Sequence, residues 1–128
     1  MNDDGMTTIG LLHPGAMGSS IGAAAQASGA RVVWVSEDRS EATVARAKAD
    51  GFEDVDWLNG LVNQSRIILS VCPPEFALEL AEEVCALGYR GIYVDANAIA
   101  PATSRTIAEL VERNHGSYVD GGIIGGPA

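Results

Sequence analysis

Short apolar runs alternate along this chain with longer segments whose apolar residues recur every three or four positions. Runs such as Arg31–Val35 and Arg66–Val71 show no polar alternation, which is typical of strands covered on both faces. The helical segments often end at glycine, and the connections are short. This order predicts one α/β domain over residues 1–128, a doubly wound parallel sheet between two helical layers. The predicted strands are 7–12, 31–35, 52–54, 66–71, 91–94 and 117–119, and the predicted helices are 16–28, 40–49, 55–62, 75–87 and 101–113.

A glycine-rich turn joins the first predicted strand to the first helix. Unpaired N–H groups at a helix start carry the positive end of the helix dipole, and Gly15 has no Cβ to keep a diphosphate away from them. The motif is G-x-G-x-x-G with His13 in the place of the first glycine. We therefore predict a dinucleotide at this turn, held by His13, Pro14, Gly15, Ala16, Met17 and Gly18.

The end of the second predicted strand bears on which dinucleotide binds. NAD-binding domains place a carboxylate about 20 residues past the glycine loop, but that position holds Ser36. Arg39 supplies a guanidinium suited to a 2′-phosphate, and Ser40 adds a hydroxyl. These residues favour NADP over NAD. Glu37 or Asp38 is the alternative, as a ribose-binding acid that would favour NAD.

Ligands of such sheets bind beyond the carboxyl ends of the strands, so the later strand ends hold further candidates. Cys72 and Pro73 form a rigid turn that is placed either to contact the adenosine half or simply to start a helix. Asn97 is a candidate for the nicotinamide or its ribose, whereas Asp95 is better suited to holding the loop backbone. The last strand leads into a stretch with four glycines in six residues, and it supplies the candidate substrate-binding residues Asp120, Gly122, Ile124, Gly125 and Gly126.

Composition narrows the classes of partner. A net charge of −9 argues against nucleic acid or an anionic membrane surface, and no apolar run approaches the roughly 20 residues of a membrane span. The acidic start Met1–Asp4 is unlike a signal peptide, so we expect a cytoplasmic protein. Cys72 and Cys85 are expected to be free, buried thiols, and no metal-ligand spacing is present.

Taken together, these motifs resemble the 3-hydroxyacid dehydrogenase and 6-phosphogluconate dehydrogenase superfamily, specifically its amino-terminal, NADP-binding Rossmann domain. The resemblance covers about residues 8–127. The family loop G-x-x-G-x-G-x-M-G matches Gly10 to Gly18, including Met17, and the family proline after the fourth strand matches Pro73. The family segment D-x-S-T-x-x-P matches Asp95 to Pro101, and the segment D-A-P-V-S-G-G matches Asp120 to Gly126. The resemblance implies hydride transfer between NADP(H) and a small substrate.

Several positions depart from the family pattern. Asn97 and Ala98 stand where the family has Ser-Thr, and Ile124 replaces a substrate-contacting serine. The family's catalytic lysine lies in a carboxy-terminal helical domain, whereas Lys48, the one lysine here, lies after the second strand. We therefore expect no catalytic residue in this chain, little activity from it alone, and a homodimer, if one forms, through that helical domain. Two alternatives remain at this point, a non-catalytic module that senses NAD(P) and a flavin or other nucleotide binder on the same fold.

Overall fold

Six parallel strands form one sheet with helices on both of its faces, which confirms the predicted fold class. A computed structural model describes residues 7–12, 16–36, 41–71, 74–97 and 99–120, and for residues 16–19, 46 and 74 it describes the backbone alone. The elements are β1 (Thr8–Leu12), α1 (Ala16–Ala27), β2 (Arg31–Trp34), α2 (Glu41–Ala49), β3 (Glu53–Asp54), α3 (Leu58–Gln64), β4 (Ile67–Ser70), α4 (Ala77–Ala86), β5 (Ile92–Asp95), α5 (Pro101–Arg113) and β6 (Ser117–Asp120). A short 3₁₀ turn, Pro74–Phe76, precedes α4.

The strand order is β3-β2-β1-β4-β5-β6, and every neighbouring pair is parallel. Successive strands are added outward from β1 to β3, and the chain then crosses back to place β4 on the other side of β1. The order therefore reverses between β1 and β4. In open parallel sheets the crevice for a ligand lies at such a reversal, beyond the carboxyl ends of the strands.

Each face of the sheet has its own apolar core, because successive strand residues point to opposite sides. Leu11 and Trp34 lie in the core beneath α1 and α2, whereas Leu12 and Tyr93 lie in the larger core beneath α3, α4 and α5. Gly22 of α1 permits close packing on the first core, since a Cβ there would lie 2.5 Å from Cζ of Phe52. Burial of apolar side chains on both faces explains why the strand sequences lack polar alternation.

Helix α4 corrects one sequence prediction. The spacing of Phe76, Leu80, Val84 and Leu87 in the sequence predicts one buried stripe on this helix, but Phe76 is 48% exposed and Leu87 is 43% exposed. The helix begins one residue after Phe76 and buries Ala77, Ala81 and Cys85 together with Val84, which is the one fully buried member of the predicted stripe. Two alanines on the inward face leave room for the helix to approach its neighbours closely, so the larger apolar side chains at its ends remain outside the core.

One further expectation is met by the described residues, and the end of α5 is well defined. Cys85 is a free, buried thiol, and burial raises its pKa. His115 lies just beyond α5 with φ +71°, and its N–H donates to the Glu112 carbonyl at 3.0 Å, as expected of a helix end. Cys72 lies outside the described residues.

Candidate functional site

The carboxyl edge of the sheet at β1 and β4 is the centre of the candidate site. Helix α1 begins at Ala16, four residues after β1 ends, so its first backbone N–H groups lie at this edge. A 12-residue helix presents a partial positive charge there, which suits a diphosphate. Of the predicted loop, the backbone of Ala16, Met17 and Gly18 forms the first turn of α1, and His13, Pro14 and Gly15 lie outside the described residues.

The end of β2 lies against a carboxylate that our sequence analysis did not identify. The Ser36 N–H donates to Oδ1 of Asp54 at 3.2 Å, and the Asp56 N–H donates to the same oxygen at 2.9 Å. Asp54 is the last residue of β3 and pairs in register with Trp34 of β2. The D-x-D spacing of Asp54 and Asp56 is a turn signal in the sequence, but it does not reveal that β3 lies beside β2. Arg39 and Ser40 lie outside the described residues.

A hydrogen-bonded polar cluster lies where β4 and β5 end. Oδ1 of Asp95 accepts the Asn97 N–H at 2.8 Å, which confirms the predicted role of Asp95 as a loop anchor. The Asn97 amide donates from Nδ2 to Oγ of Ser70 at 3.2 Å, and all three side chains are buried. The Asn97 side chain is therefore buried and bonded to Ser70, and a contact between it and a nicotinamide stays a prediction.

Asp95 is an unusual carboxylate because it is only 1% exposed. Its Oδ2 is buried and has no hydrogen-bond partner within the described part of the chain. Burial raises the pKa of Asp95, and the nearby charge of Asp120 adds to this, while the hydrogen bonds from Asn97 oppose it. The geometry thus favours a proton on this side chain at pH values where an exposed aspartate is ionised.

The predicted substrate-binding stretch is described only at its first residue, Asp120. Asp120 is the last residue of β6, exposed, and in register with Asp95 on β5. Next to it, the hydroxyls of Tyr118 and Ser104 are 2.8 Å apart, which ties β6 to α5. The remaining predicted residues at this edge, Cys72, Pro73, Gly122, Ile124, Gly125 and Gly126, lie outside the described residues.

Lys48 is exposed and lies in the last turn of α2. That helix starts at the carboxyl edge and runs back toward the amino edge, so its last turn is remote from the crevice. Among the residues with described side chains, no group of three or more His, Cys, Asp or Glu is placed to hold a metal ion. No helix within the described ranges has the length and apolarity needed to cross a membrane.

Comparison with known proteins agrees with this geometry. The model of the NAD-binding domain of 6-phosphogluconate dehydrogenase matches residues 7–128. The chain belongs to this family. The resemblance inferred from the motifs is therefore confirmed, although the preference for NADP over NAD is not decided by it.

Three relatives illustrate the likeness. An uncharacterized 28.5 kDa protein of Methanothermus fervidus, from the 7S RNA 5′ region, is 34% identical over 87 residues, which is 68% of this chain and 34% of that protein. A conserved protein of unknown function, described as structurally similar to 3-hydroxyacid dehydrogenases, superposes with a TM-score of 0.80 at 29% identity and covers 88% of this chain and 42% of its own. The 3-hydroxyisobutyrate dehydrogenase of Mycobacterium tuberculosis, solved with L-serine, gives a TM-score of 0.79 at 22% identity and covers 88% and 39%.

The chain thus spans between about a third and two fifths of the length of these relatives. The rest of each of these proteins lies beyond the match.

Proposed function

We propose that this chain is the NADP(H)-binding part of an oxidoreductase that transfers hydride between NADP(H) and a small substrate. The observation that carries the proposal is the start of α1 at the reversal of strand order, in a chain of the NAD-binding family. Bound there, the dinucleotide supplies the hydride chemistry, and the protein supplies position. The substrate would meet the nicotinamide beside Asp120 and the glycine-rich segment that follows it.

The described residues fit such a cofactor. The first turn of α1 offers backbone N–H groups for the diphosphate, and the end of β2 offers the Ser36 region for the adenosine ribose. Oδ1 of Asp95 holds the backbone of Asn97 and so fixes the start of the loop that follows β5. These groups bind and orient the cofactor. None of them is placed as the general acid or base, which we assign to the rest of the enzyme.

Calorimetric titration of the purified chain with NADPH, NADH and FMN tests the proposal directly. We expect NADPH to bind most tightly and FMN to bind least. Tighter binding of NADH would overturn the preference for NADP, and tighter binding of FMN than of either nicotinamide cofactor would overturn the assignment as a whole.

The Arg39→Ala variant tests how the 2′-phosphate is read. A hydrogen bond between charged groups contributes about 1.5–3 kcal/mol, so we expect NADPH affinity to fall by roughly ten-fold or more while NADH affinity stays within two-fold of the wild-type value. Arg105, which lies in α5 and is exposed, offers a matched control as Arg105→Ala. An equal loss of affinity for both cofactors in Arg39→Ala would contradict a role in phosphate recognition.

A further inference from the structure

The Asp54 carboxylate is fixed at the point where β2 ends. One of its oxygens, Oδ1, accepts two backbone N–H groups, from Ser36 at 3.2 Å and from Asp56 at 2.9 Å. The parallel register of Trp34 with Asp54 brings the two strand ends side by side. The carboxylate therefore holds the first residues of the β2–α2 connection and cannot move away from them without losing both bonds.

Among the described residues, no ion pair to this carboxylate is present. Arg31, at the opposite end of β2, donates to both carboxylate oxygens of Glu53, with distances of 2.9 and 2.6 Å, and also to Oε1 of Gln64 at 3.0 Å. Successive residues of β3 point to opposite sides, so the Arg31–Glu53 pair lies apart from the Asp54 side chain. Asp54 thus adds negative charge beside Ser36, in a chain whose net charge is already −9.

We propose that Asp54 is a selectivity residue for the dinucleotide, because its carboxylate beside Ser36 opposes the 2′-phosphate of NADP(H). The inference rests on the proposed function, which places the adenosine ribose at the end of β2. NAD(H) carries a hydroxyl at that position and is not repelled. Asp54 consequently limits the preference for NADP(H) that we propose for Arg39 and Ser40, and it also holds the Ser36 backbone at the start of the β2–α2 connection.

The size of the effect follows from the exposure of the site. Because Asp54 is exposed, water weakens the repulsion between its charge and a nearby phosphate, and salt reduces it further. Removal of the Asp54 charge should therefore change NADPH affinity by about two- to five-fold. An effect of this size is resolved by titration of both cofactors against each variant under identical ionic strength.

Asp54→Asn is the informative substitution. The amide oxygen of asparagine still accepts the N–H groups of Ser36 and Asp56, so the backbone is held while the charge is removed. We expect NADPH to bind about two- to five-fold more tightly, NADH affinity to remain within two-fold, and the ratio of the two affinities to rise accordingly. Isothermal titration calorimetry of the full chain measures both constants.

Two further variants separate charge from position. Glu53→Gln removes the same charge one residue earlier, where it is paired with Arg31, and should leave the ratio unchanged. Asp54→Ala removes both the charge and the hydrogen bonds, so it should weaken both cofactors as the Ser36 backbone loses its anchor. An unchanged or lower ratio in Asp54→Asn, with both cofactors still bound, would overturn this inference alone. Failure of the wild-type chain to bind either cofactor would overturn the proposed function and the inference together.

Discussion

Replacing Gly10 with alanine is expected to destabilise the domain by about 2–3 kcal/mol, the upper range for overpacking of a filled core. Gly10 lies in β1, and a Cβ on it would lie 2.5 Å from Cδ2 and 2.8 Å from Cγ of Leu61, and would also contact Oγ of Ser65. Leu61, in α3, is fully buried. The added methyl group must therefore displace the Leu61 side chain within the packed core, or α3 with it. Chemical denaturation monitored by circular dichroism measures the loss.

A double variant shows whether the clash with Leu61 is the cause. Leu61→Ala alone should cost about 2–5 kcal/mol because it leaves a cavity in the core. Combined with Gly10→Ala, it provides the space that the new methyl group needs. We expect the double variant to be at least about 1 kcal/mol more stable than the sum of the two single changes predicts. Strict additivity would show that Gly10 is required for another reason.

The identity and order of the elements were predictable because each apolar run is ended by a local signal. Gly29, Gly51 and Gly88 all adopt positive φ after a helix, and the sequence shows each of them at the end of a periodic segment. Pro101 marks the first residue of α5, as its fixed φ and missing N–H favour. Such signals act over a few residues, so they are readable without knowledge of the tertiary structure.

The start of α3 was misplaced because a side chain changes the backbone there. We predicted helix from Val55, but Oδ1 of Asp54 accepts the Asp56 N–H and Asp56 has φ +69°. The chain is therefore outside the helical region until Leu58, and Trp57 stands 62% exposed rather than within the helix. Apolar periodicity across Trp57 and Leu58 masked this turn.

The parts of the candidate site that depend on residues adjacent in the sequence were predictable, whereas the parts that depend on pairing between strands were not. The start of α1 and the anchor Asp95 both follow from a strand end and the residues next to it. Asp54 acts on Ser36, 18 residues earlier, through strand pairing that the sequence pattern does not specify. The assignments of His13 to Gly15, Arg39 and Ser40 stay predictions, since these residues lie outside the described ranges.

Asp95→Asn is expected to stabilise the domain at neutral and higher pH. Burial raises the pKa of Asp95 above the value of about 3.9 that it has in an unfolded chain. The folded domain consequently binds more protons than the unfolded chain between these two values, and the free energy of unfolding falls as pH rises through the folded pKa. Asparagine carries no charge and retains an oxygen for the Asn97 N–H. We expect a gain of about 1–3 kcal/mol at pH 8, which shrinks toward zero as the pH approaches 4.

The pH profile of unfolding, recorded from pH 5 to 8, distinguishes this effect from others. The pKa of Glu53 is shifted in the opposite direction, because its hydrogen bond with Arg31 lowers it. The stability that this ion pair contributes is lost as pH falls, and the range from pH 5 to 8 therefore keeps Glu53 ionised. Asp120→Asn is the matched control: it removes the charge that helps to raise the pKa of Asp95, so the decline in stability should move to lower pH without disappearing. If Asp95→Asn declines with pH as steeply as the wild type, the proton does not reside on Asp95. A loss of stability at pH 8 would mean that the ionised carboxylate stabilises the loop after β5.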